Sequence, residues 1–537
     1  MKTIVAAVIL SLLVLQVFSQ QQFQLLIHPG FKQEARFMSE ILGSGYLLAS
    51  NFTDTSGEKS ILLTRLDNQL NVVWHTLIDE TGTAERVNSF AQDASGNIFI
   101  AGYIEDSFAT AFNNSLLIKA DSTGNVIWKK RFQYSDYNND LLRIFSSASG
   151  SLYAIGESED YYYAPYPYYM QLVMKLNSSG TILWSHTYPT SLHSNVSAEV
   201  LPASDGTMIV AGHSLTLNTL QASLTKFDTT GSKVWDTRWS LSGINNFPVG
   251  LVYDLSESNT GGYIIYGQRG IDSEYVLRNC MLKYDANGTL LKQMRYGYSY
   301  DNWFYPISTI YVFKGIPAMD GGYAAAGVFL DEFSGEQGIA LLKVDSGLVP
   351  QWCKLYDMGT ITSIASLLQT SDGGYLIAAS RGDSIILLKT DAQGSNSCNE
   401  QVLPVFYQLI SDYQGSSFLE SQSPSFTVPS YLPNTATLTN NFEDTLCFVY
   451  TSSQADQSSK ACSLFPDPSH NIINISISDG ATKLFSMSLF NEEGAELKRE
   501  IISSSNYSLD VSTLPAGMYM VRISSRSSFI VKKFLKL

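Results

Sequence analysis

Two acidic, tyrosine-rich stretches hold the residue types in this chain that could do chemistry. The first reads Glu159-Asp160-Tyr161-Tyr162-Tyr163-Ala164-Pro165-Tyr166-Pro167-Tyr168-Tyr169, with Glu157 just before it. The second carries Tyr296, Tyr298, Tyr300, Asp301, Trp303, Phe304 and Tyr305, and Tyr134 and Tyr137 stand upstream of the first. Hydrolysis of a glycosidic bond needs two carboxyl groups at a set separation. Glu157, Glu159, Asp160 and Asp301 are the acids best placed among the aromatics, but no spacing fixes two of them face to face, so no catalytic residue is assigned. Tyr and Trp supply large, rigid contact area with a polar tip, which suits a sugar face or a protein surface. The expected ligand-binding set is therefore Tyr134, Tyr137, Tyr161, Tyr163, Tyr166, Tyr168, Tyr298, Tyr300, Trp303 and Tyr305. The competing reading is that these rings pack over strand ends.

Other chemistries find no footing. The chain has no GxSxG, HExxH, phosphate-binding Gly-Lys-Ser loop or EF-hand loop. Its six histidines are scattered and no cysteines have zinc-ligand spacing, so neither a metal nor a cofactor is expected. A net charge of −15 argues against nucleic acid, whose phosphates need a basic surface. It also argues against docking on anionic lipid. Arg381-Gly382-Asp383 is an adhesion-type tripeptide that reads equally as a plain loop.

The elements that must position these loops come from a phrase written seven times. A basic residue (Arg65, Lys119, Lys175, Lys226, Lys283, Lys343, Lys389) is followed two places later by Asp67, Asp121, Asn177, Asp228, Asp285, Asp345 or Asp391. A Trp stands seven further on, at Trp74, Trp128, Trp184, Trp235 and Trp352; Lys292 and Cys398 replace it in the fifth and seventh copies. Self-similarity at a period near fifty residues signals a solenoid, propeller or array. The copy from Asp320 to Trp352 has a Gly321-Gly322 turn, a short run Tyr323 to Gly327, a strand Ile339 to Val344, a turn at Asp345, and a strand from Val349 to Tyr356. With the segment before Gly321 this makes four short antiparallel strands, the blade of a β-propeller.

The fold class expected is thus all-β: a seven-bladed β-propeller over residues 20–398. Trp should act as a wedge between blades, and the basic residue should pair with acids. The seventh copy lacks a last strand, and Phe23 to Ile27 is a strand without a repeat, so it should complete that blade and close the ring. From Trp to the next strand-two Gly the spacing is 22 residues in four copies, but 27 before Gly262 and 30 before Gly322. Length varies on the face that carries the aromatic loops, and variable loops on a rigid scaffold are where function usually sits.

The ends carry their own signals. Lys2, the apolar stretch Ile4 to Val17 and Val17-Phe18-Ser19 read as a secretory leader, residues 1–19, too short to span a bilayer comfortably. No later segment is apolar enough to be transmembrane. The five cysteines suggest Cys398–Cys447 and Cys280–Cys353 as pairs, with Cys462 over. Residues 399–461, rich in Ser, Thr, Pro and Asn, read as an extended connector strapped to the propeller. Residues 462–537 hold about seven short strands, a small β-sandwich.

The segment from Leu464 resembles the type A C-terminal sorting domain of the bacterial type IX secretion system. Phe465-Pro466-Asp467-Pro468 stands for its opening Tyr-Pro-Asn-Pro-like motif. Leu514-Pro515-Ala516-Gly517-Met518-Tyr519 and a last apolar strand with Lys532-Lys533 match its later ones. The resemblance implies a Bacteroidota-type protein, partnered by the outer-membrane type IX secretion machinery. It further implies delivery outside the cell or to its surface, commonly with removal of the tail. The sorting signal would be Pro466, Asp467, Pro468, Gly517, Tyr519, Lys532 and Lys533. The Asp-Gly-Gly-Tyr and Leu-Leu-Lys-Thr-Asp runs of the repeats are similar to those of other cargo proteins of this system. Lys119 to Trp128 also resembles the tryptophan-docking repeat of quinoprotein propellers, but those have eight blades and a vicinal cysteine pair that is missing here. The expected function is a non-catalytic glycan- or protein-binding, adhesive module using the aromatic loop face. The alternatives are a polysaccharide-active enzyme with loop carboxylates, or a structural surface component.

Overall fold

Each repeat folds as a meander because its reversals are built into the sequence. The Asp67 carboxylate accepts the backbone N–H groups of Gln69 and Asn71, both at 2.8 Å, and so closes the turn locally. The same pair of bonds forms at Asp121, Asn177, Asp228, Asp285, Asp345 and Asp391. The residue three past the anchor has positive φ, and five times it is Gly: Gly124, Gly180, Gly231, Gly288 and Gly394.

The computed structural model describes the chain apart from residues 1–20, 28–31, 42–43, 80–82, 107–111, 134–137, 148–149, 161–167, 190–194, 203–206, 217–218, 240–249, 270–277, 299–307, 332–335, 397, 399, 410–429, 432–433, 437–442, 451–461, 466–468, 478–484, 492–495, 503, 505, 525–528 and 537. Contacts divide the chain into two compact units, one of residues 24–395 and 399–446, the other of 1–23, 396–398 and 447–537.

Among the described residues the larger unit is all-β, with successive antiparallel sheets of four or five strands consistent with propeller blades. We number the sheets one to seven by their lead strands: Lys32–Ile41, Thr83–Gln92, Asn139–Ser146, Asn195–Pro202, Gly250–Glu257, Ser308–Pro317 and Ser363–Gln369. In sheets one to six the next three strands follow in chain order. In the seventh, Ser384–Lys389 is followed in the sheet by Gln21–Ile27, as the orphan N-terminal strand demanded. Sheet seven also packs on sheet one. Ala35 N–H donates to Ser380 Oγ at 2.9 Å and Met38 N–H to Ser366 Oγ at 2.8 Å.

Neighbouring sheets meet through the repeated Trp. A Cβ added to Gly124 would lie 2.7 Å from the Trp74 ring, and one on Gly180, Gly288 or Gly394 would collide likewise with Trp128, Trp235 or Trp352. The turn Gly thus serves twice, for positive φ and for the indole of the preceding sheet. Two sheets break the rule together. Sheet five has Lys292 where Trp would stand, and sheet seven takes its fourth strand from Gln21–Ile27, which holds no Trp; the turns of the sheets that follow carry Leu348 (φ 64) and Leu70 (φ 63) instead of Gly. Both leucines are buried, filling the room the missing indole leaves. The Leu70 substitution is itself a sign that sheet seven precedes sheet one.

The repeated basic residue behaves less uniformly than expected. Lys343 and Lys389 pair with Asp320 and Asp372 of their own sheets at 2.8 and 3.0 Å. Lys119 and Lys175 instead sit over the rings of Phe99 and Tyr153, and Arg65 donates to backbone carbonyls.

The connector runs round the sheets against the chain order. Glu400–Val402 extends sheet six, Val405–Leu409 sheet five, Ser430–Tyr431 sheet two, Asn434–Ala436 sheet one, and Glu443–Tyr450 the seventh. Added strands cover outer edges that would otherwise offer unpaired backbone groups.

One expected disulfide does not form: Cys280 and Cys353 are buried thiols, neither of them disulfide-bonded. Cys280 lies on the third strand of sheet five, Arg278–Tyr284, and Cys353 on the fourth strand of sheet six, Pro350–Tyr356, and each faces the sheet before its own. Cys280 packs with Ile209, Ala211 and Leu224 of sheet four, Cys353 with Tyr266 and Met281 of sheet five. Cys398 is in a disulfide.

Among the described residues the smaller unit has two sheets of its own, one of Cys462–Phe465, Ile472–Ile477 and Asn506–Asp510, the other of Phe485–Phe490, Glu496–Ile502, Gly517–Ser524 and Phe529–Lys536. Alternate residues of both, Ile473, Ile475, Met487, Leu489, Leu509, Val521 and Phe534 among them, share one core.

Candidate functional site

The lead strands are the elements that position polar chemistry. All seven carry a register irregularity at the same place, before Phe37, Ser89, Arg143, Glu199, Asp254, Lys314 and Ser366. A bulge re-aims the side chain beside it. In three sheets that side chain takes a backbone N–H of the next lead strand: Ile144 donates to Ser89 Oγ at 3.0 Å, Gly315 to Asp254 Oδ2 at 2.8 Å, and Met38 to Ser366 Oγ.

In sheets three to six the same position is charged, and the four groups meet. Arg143 Nε donates to Glu199 Oε2 at 2.9 Å. Lys314 Nζ lies 3.5 Å from that oxygen and 3.8 Å from Asp254 Oδ1. Burial works to raise the Glu199 pKa, but Arg143 and Lys314 overcome it and the net shift is downward. Asp254 has no guanidinium bonded to it; it has the more distant Lys314 and accepts the Gly315 and Leu255 N–H groups, at 2.8 and 3.0 Å. Burial therefore dominates, with Glu199 adding to it, and Asp254 is pushed up to about 7. Two carboxyl groups on one ammonium, one held ionised and the other protonated at mild pH, can act as a base and an acid.

A second polar region lies where the lead strands of sheets seven, one and two begin. A cavity of about 320 Å³ is lined by Lys32, Gln33, Glu34, Asn51, Thr53, Arg86, Thr362, Ser363, Gly382 and Asp383. No apolar side chain is among them. Arg36, just below, is bound at 2.9 Å by both Glu34 and Asn88. Arg381-Gly382-Asp383 is the tight reversal between Tyr375–Arg381 and Ser384–Lys389. Its Asp383 carbonyl accepts the Gln33 N–H at 3.1 Å, so the tripeptide works at the seam of sheets seven and one.

Of the expected aromatic set, Tyr134, Tyr137, Tyr161, Tyr163, Tyr166, Tyr300, Trp303 and Tyr305 lie outside the described residues, as does Asp301. Tyr168 opens Tyr168–Leu176 and Tyr298 closes Leu290–Tyr298. Tyr296, from the second aromatic stretch, is a core residue: it is 1% exposed and its hydroxyl donates to the Leu348 carbonyl at 2.9 Å. Glu157 pairs in register with Asp140 and Gln171. The bulge tetrad and the polar cavity were not found by sequence reasoning, which looked to the loops.

The tail motifs have visible work in the smaller unit. Tyr519 stacks on Phe534 at 5.7 Å and donates its hydroxyl to the Pro515 carbonyl at 2.9 Å, tying the Pro-Ala-Gly turn to the strand that Gly517 opens. Lys532 and Lys533 lie opposite Val521 and Met520 in the last strand pair. Pro466, Asp467 and Pro468 fall outside the described residues.

Comparison with known proteins agrees with this unit. Residues 463–536 match the family described as "Secretion system C-terminal sorting domain". The protein is accordingly a cargo of the type IX secretion pathway, delivered to the cell surface or outside, and its tail engages that machinery. Among the described residues no helix is long and apolar enough to cross a membrane. A search of curated proteins gave no match. Solved structures superpose only loosely. Polysaccharide lyase Uly1 aligns at a TM-score of 0.35 and 10% identity, over 57% of this chain and 90% of that one. MPT-4, a mannose phosphorylase from Leishmania mexicana, gives 0.27 and 11%, over 57% and 89%. A glycosyl hydrolase from Bacteroides ovatus gives 0.25 and 8%, over 50% and 88%. Likenesses this slight say nothing of what this chain binds. Deleting Leu464 to Leu537 is expected to trap the protein in the periplasm, read by fractionation and blotting; surface delivery of the truncated chain would defeat the sorting role.

Proposed function

We propose that the larger unit is a seven-bladed β-propeller, roughly residues 20–398 with its strapped connector, that binds glycan outside the cell through one face. The observation that carries this reading is the cavity where the lead strands begin. It offers hydroxyl, amide, carboxylate and cationic groups and no apolar wall, which fits a polyhydroxylated ligand and rejects an apolar one. Tyr168 and Tyr298 stand at strand ends on the same side of the meander, where a strand-two-to-three or sheet-to-sheet connection begins or ends. With Tyr134, Tyr137, Tyr161, Tyr163, Tyr166, Tyr300, Trp303 and Tyr305 they would add stacking surface for further sugar rings.

Polysaccharide cleavage is the second reading, favoured by one observation: Glu199 and Asp254 share Lys314 and are pushed in opposite directions. One experiment separates the two. The purified protein and a Tyr166→Ala, Trp303→Ala variant are passed over immobilised polysaccharides, and the flow-through is assayed for released sugar. Retention without release, lost in the variant at an unchanged melting temperature, is the expected result. A variant that unfolds at markedly lower temperature would return those rings to packing, and released sugar would move the weight to Glu199 and Asp254.

A further inference from the structure

We infer that the cavity recognises an anionic sugar, one whose carboxylate or sulfate is gripped by Arg86; this rests on the glycan-binding reading above. Arg86 lacks a close partner. Its side chain is 19% exposed, and the nearest carboxylate oxygen, Glu105 Oε1, is 4.0 Å from Nε. That is beyond hydrogen-bond reach. The other oxygen of Glu105 is held by Lys59 at 2.8 Å. A guanidinium has five N–H donors in a fixed fork and cannot shed its charge. Among the described residues no side chain or carbonyl accepts a hydrogen bond from Arg86, so its donors are left to the water of the cavity, which an oxyanion can displace.

The other guanidiniums nearby show what satisfaction looks like here. Arg36 has Glu34 and Asn88 at 2.9 Å, and Arg143 has Glu199 at 2.9 Å and the Leu142 carbonyl at 2.9 Å. Arg86 differs in that its free donors border a 320 Å³ cavity. A cavity of that volume is at the small end of ligand sites and suits about one sugar ring.

The rest of the lining defines the ligand. Lys32, at the rim, is 70% exposed and only loosely paired, 4.0 Å from Asp383, so it adds a second positive charge that can turn to an anion. Glu34, Asp383, Asn51, Thr53, Thr362 and Ser363 are acceptors and small donors for hydroxyl groups. The two carboxylates also set a limit. They would repel a densely charged polyanion, so the fitting ligand carries one oxyanion per residue among hydroxyls. Arg is the side chain that reads a planar oxyanion through two parallel bonds.

The test uses the purified full-length protein and three probes: polygalacturonate, dextran sulfate of low substitution, with no more than about one sulfate per glucose, and unsubstituted dextran. Dissociation constants are measured at low and high salt. At least one anionic probe should bind about tenfold or more tighter than dextran, the scale of one charge-assisted bond. That preference should shrink at high salt. Arg86→Gln should remove the preference and Arg86→Lys should keep part of it. Because Arg86 makes no hydrogen bond to another described residue, Arg86→Gln should not lower the melting temperature, which keeps folding apart from recognition. Tight polygalacturonate with weak dextran sulfate identifies a carboxylate, and the reverse a sulfate. Arg86→Gln that binds the anionic probe unchanged overturns the inference. So does equal or better binding of dextran, although the glycan-binding reading then survives. Binding of none of the three overturns the inference, and with it that reading if the polysaccharide columns also retain nothing.

Discussion

An Asp254→Asn variant should lose a pH dependence of stability that the natural protein possesses. Burial first, and Glu199 next, push the Asp254 carboxyl from 3.8 up to about 7. A carboxyl with a raised folded pKa stabilises the native state fully below its unfolded value, and that contribution is lost as pH rises through the folded value. The window is therefore about pH 4 to 7, and the loss is on the order of 4 kcal/mol at 1.36 kcal/mol per pH unit. Glu199 acts in the opposite sense, its pKa being lowered, so its contribution is lost only as pH falls. The groups facing Asp254 are Glu199 of sheet four, Arg143 of sheet three, Lys314 of sheet six and Tyr266 of its own sheet. Asn keeps an acceptor for the Gly315 N–H but cannot ionise. Denaturant unfolding of both proteins from pH 4 to 8 should give a stability difference that shifts by about 4 kcal/mol in favour of Asn. Parallel curves would show that Asp254 titrates normally and that the tetrad is better solvated than its burial implies.

The repeat frame was legible because three independent demands fall on one short phrase. Asp must close the turn, Gly must take positive φ, and Trp must wedge the next sheet. Each leaves a residue type at a fixed offset, so strand order and even the orphan strand Phe23 to Ile27 could be read. The tetrad was legible in principle too. Arg143, Glu199, Asp254 and Lys314 each stand seven residues before a turn glycine, at Gly150, Gly206, Gly261 and Gly321. Ser89 and Ser366 hold the same place before Gly96 and Gly373. Four consecutive charges at one repeat position are a signal, but attention to the loops, where lengths vary, passed over a position where chemistry varies at constant length. Arg86 left no such trace. Its environment depends on Glu105 being claimed by Lys59 of another sheet, a long-range fact. The disulfide expectation failed for a related reason: spacing brings Cys280 and Cys353 to neighbouring sheets but does not say which way each faces.

The pairing of Trp with Gly, and of its absence with Leu, predicts a coupling that single substitutions would hide. Gly231 has φ +84, and a Cβ there would lie 2.5 Å from His186 Cδ2 and 2.6 Å from Trp184 Cζ3. Gly231→Leu should therefore cost roughly 3–5 kcal/mol, from overpacking together with a left-handed backbone for a branched residue. Trp184→Lys alone should cost a few kcal/mol, since it empties a wedge between sheets. Its indole also donates to the Thr229 carbonyl at 3.0 Å. Together the two changes rebuild the arrangement at Lys292 and Leu348, where Lys292 Nζ donates to the Gly347 carbonyl and the leucine is fully buried. The double variant should then be less destabilised than the sum of the single ones by about 2 kcal/mol, within the range found for residues in contact. Thermal or denaturant unfolding of all four proteins measures this directly. Additive losses would mean that Leu348 and Leu70 are tolerated for reasons of their own sheets. The match between Leu70 and the missing Trp of sheet seven would then cease to be an argument that the ring closes there.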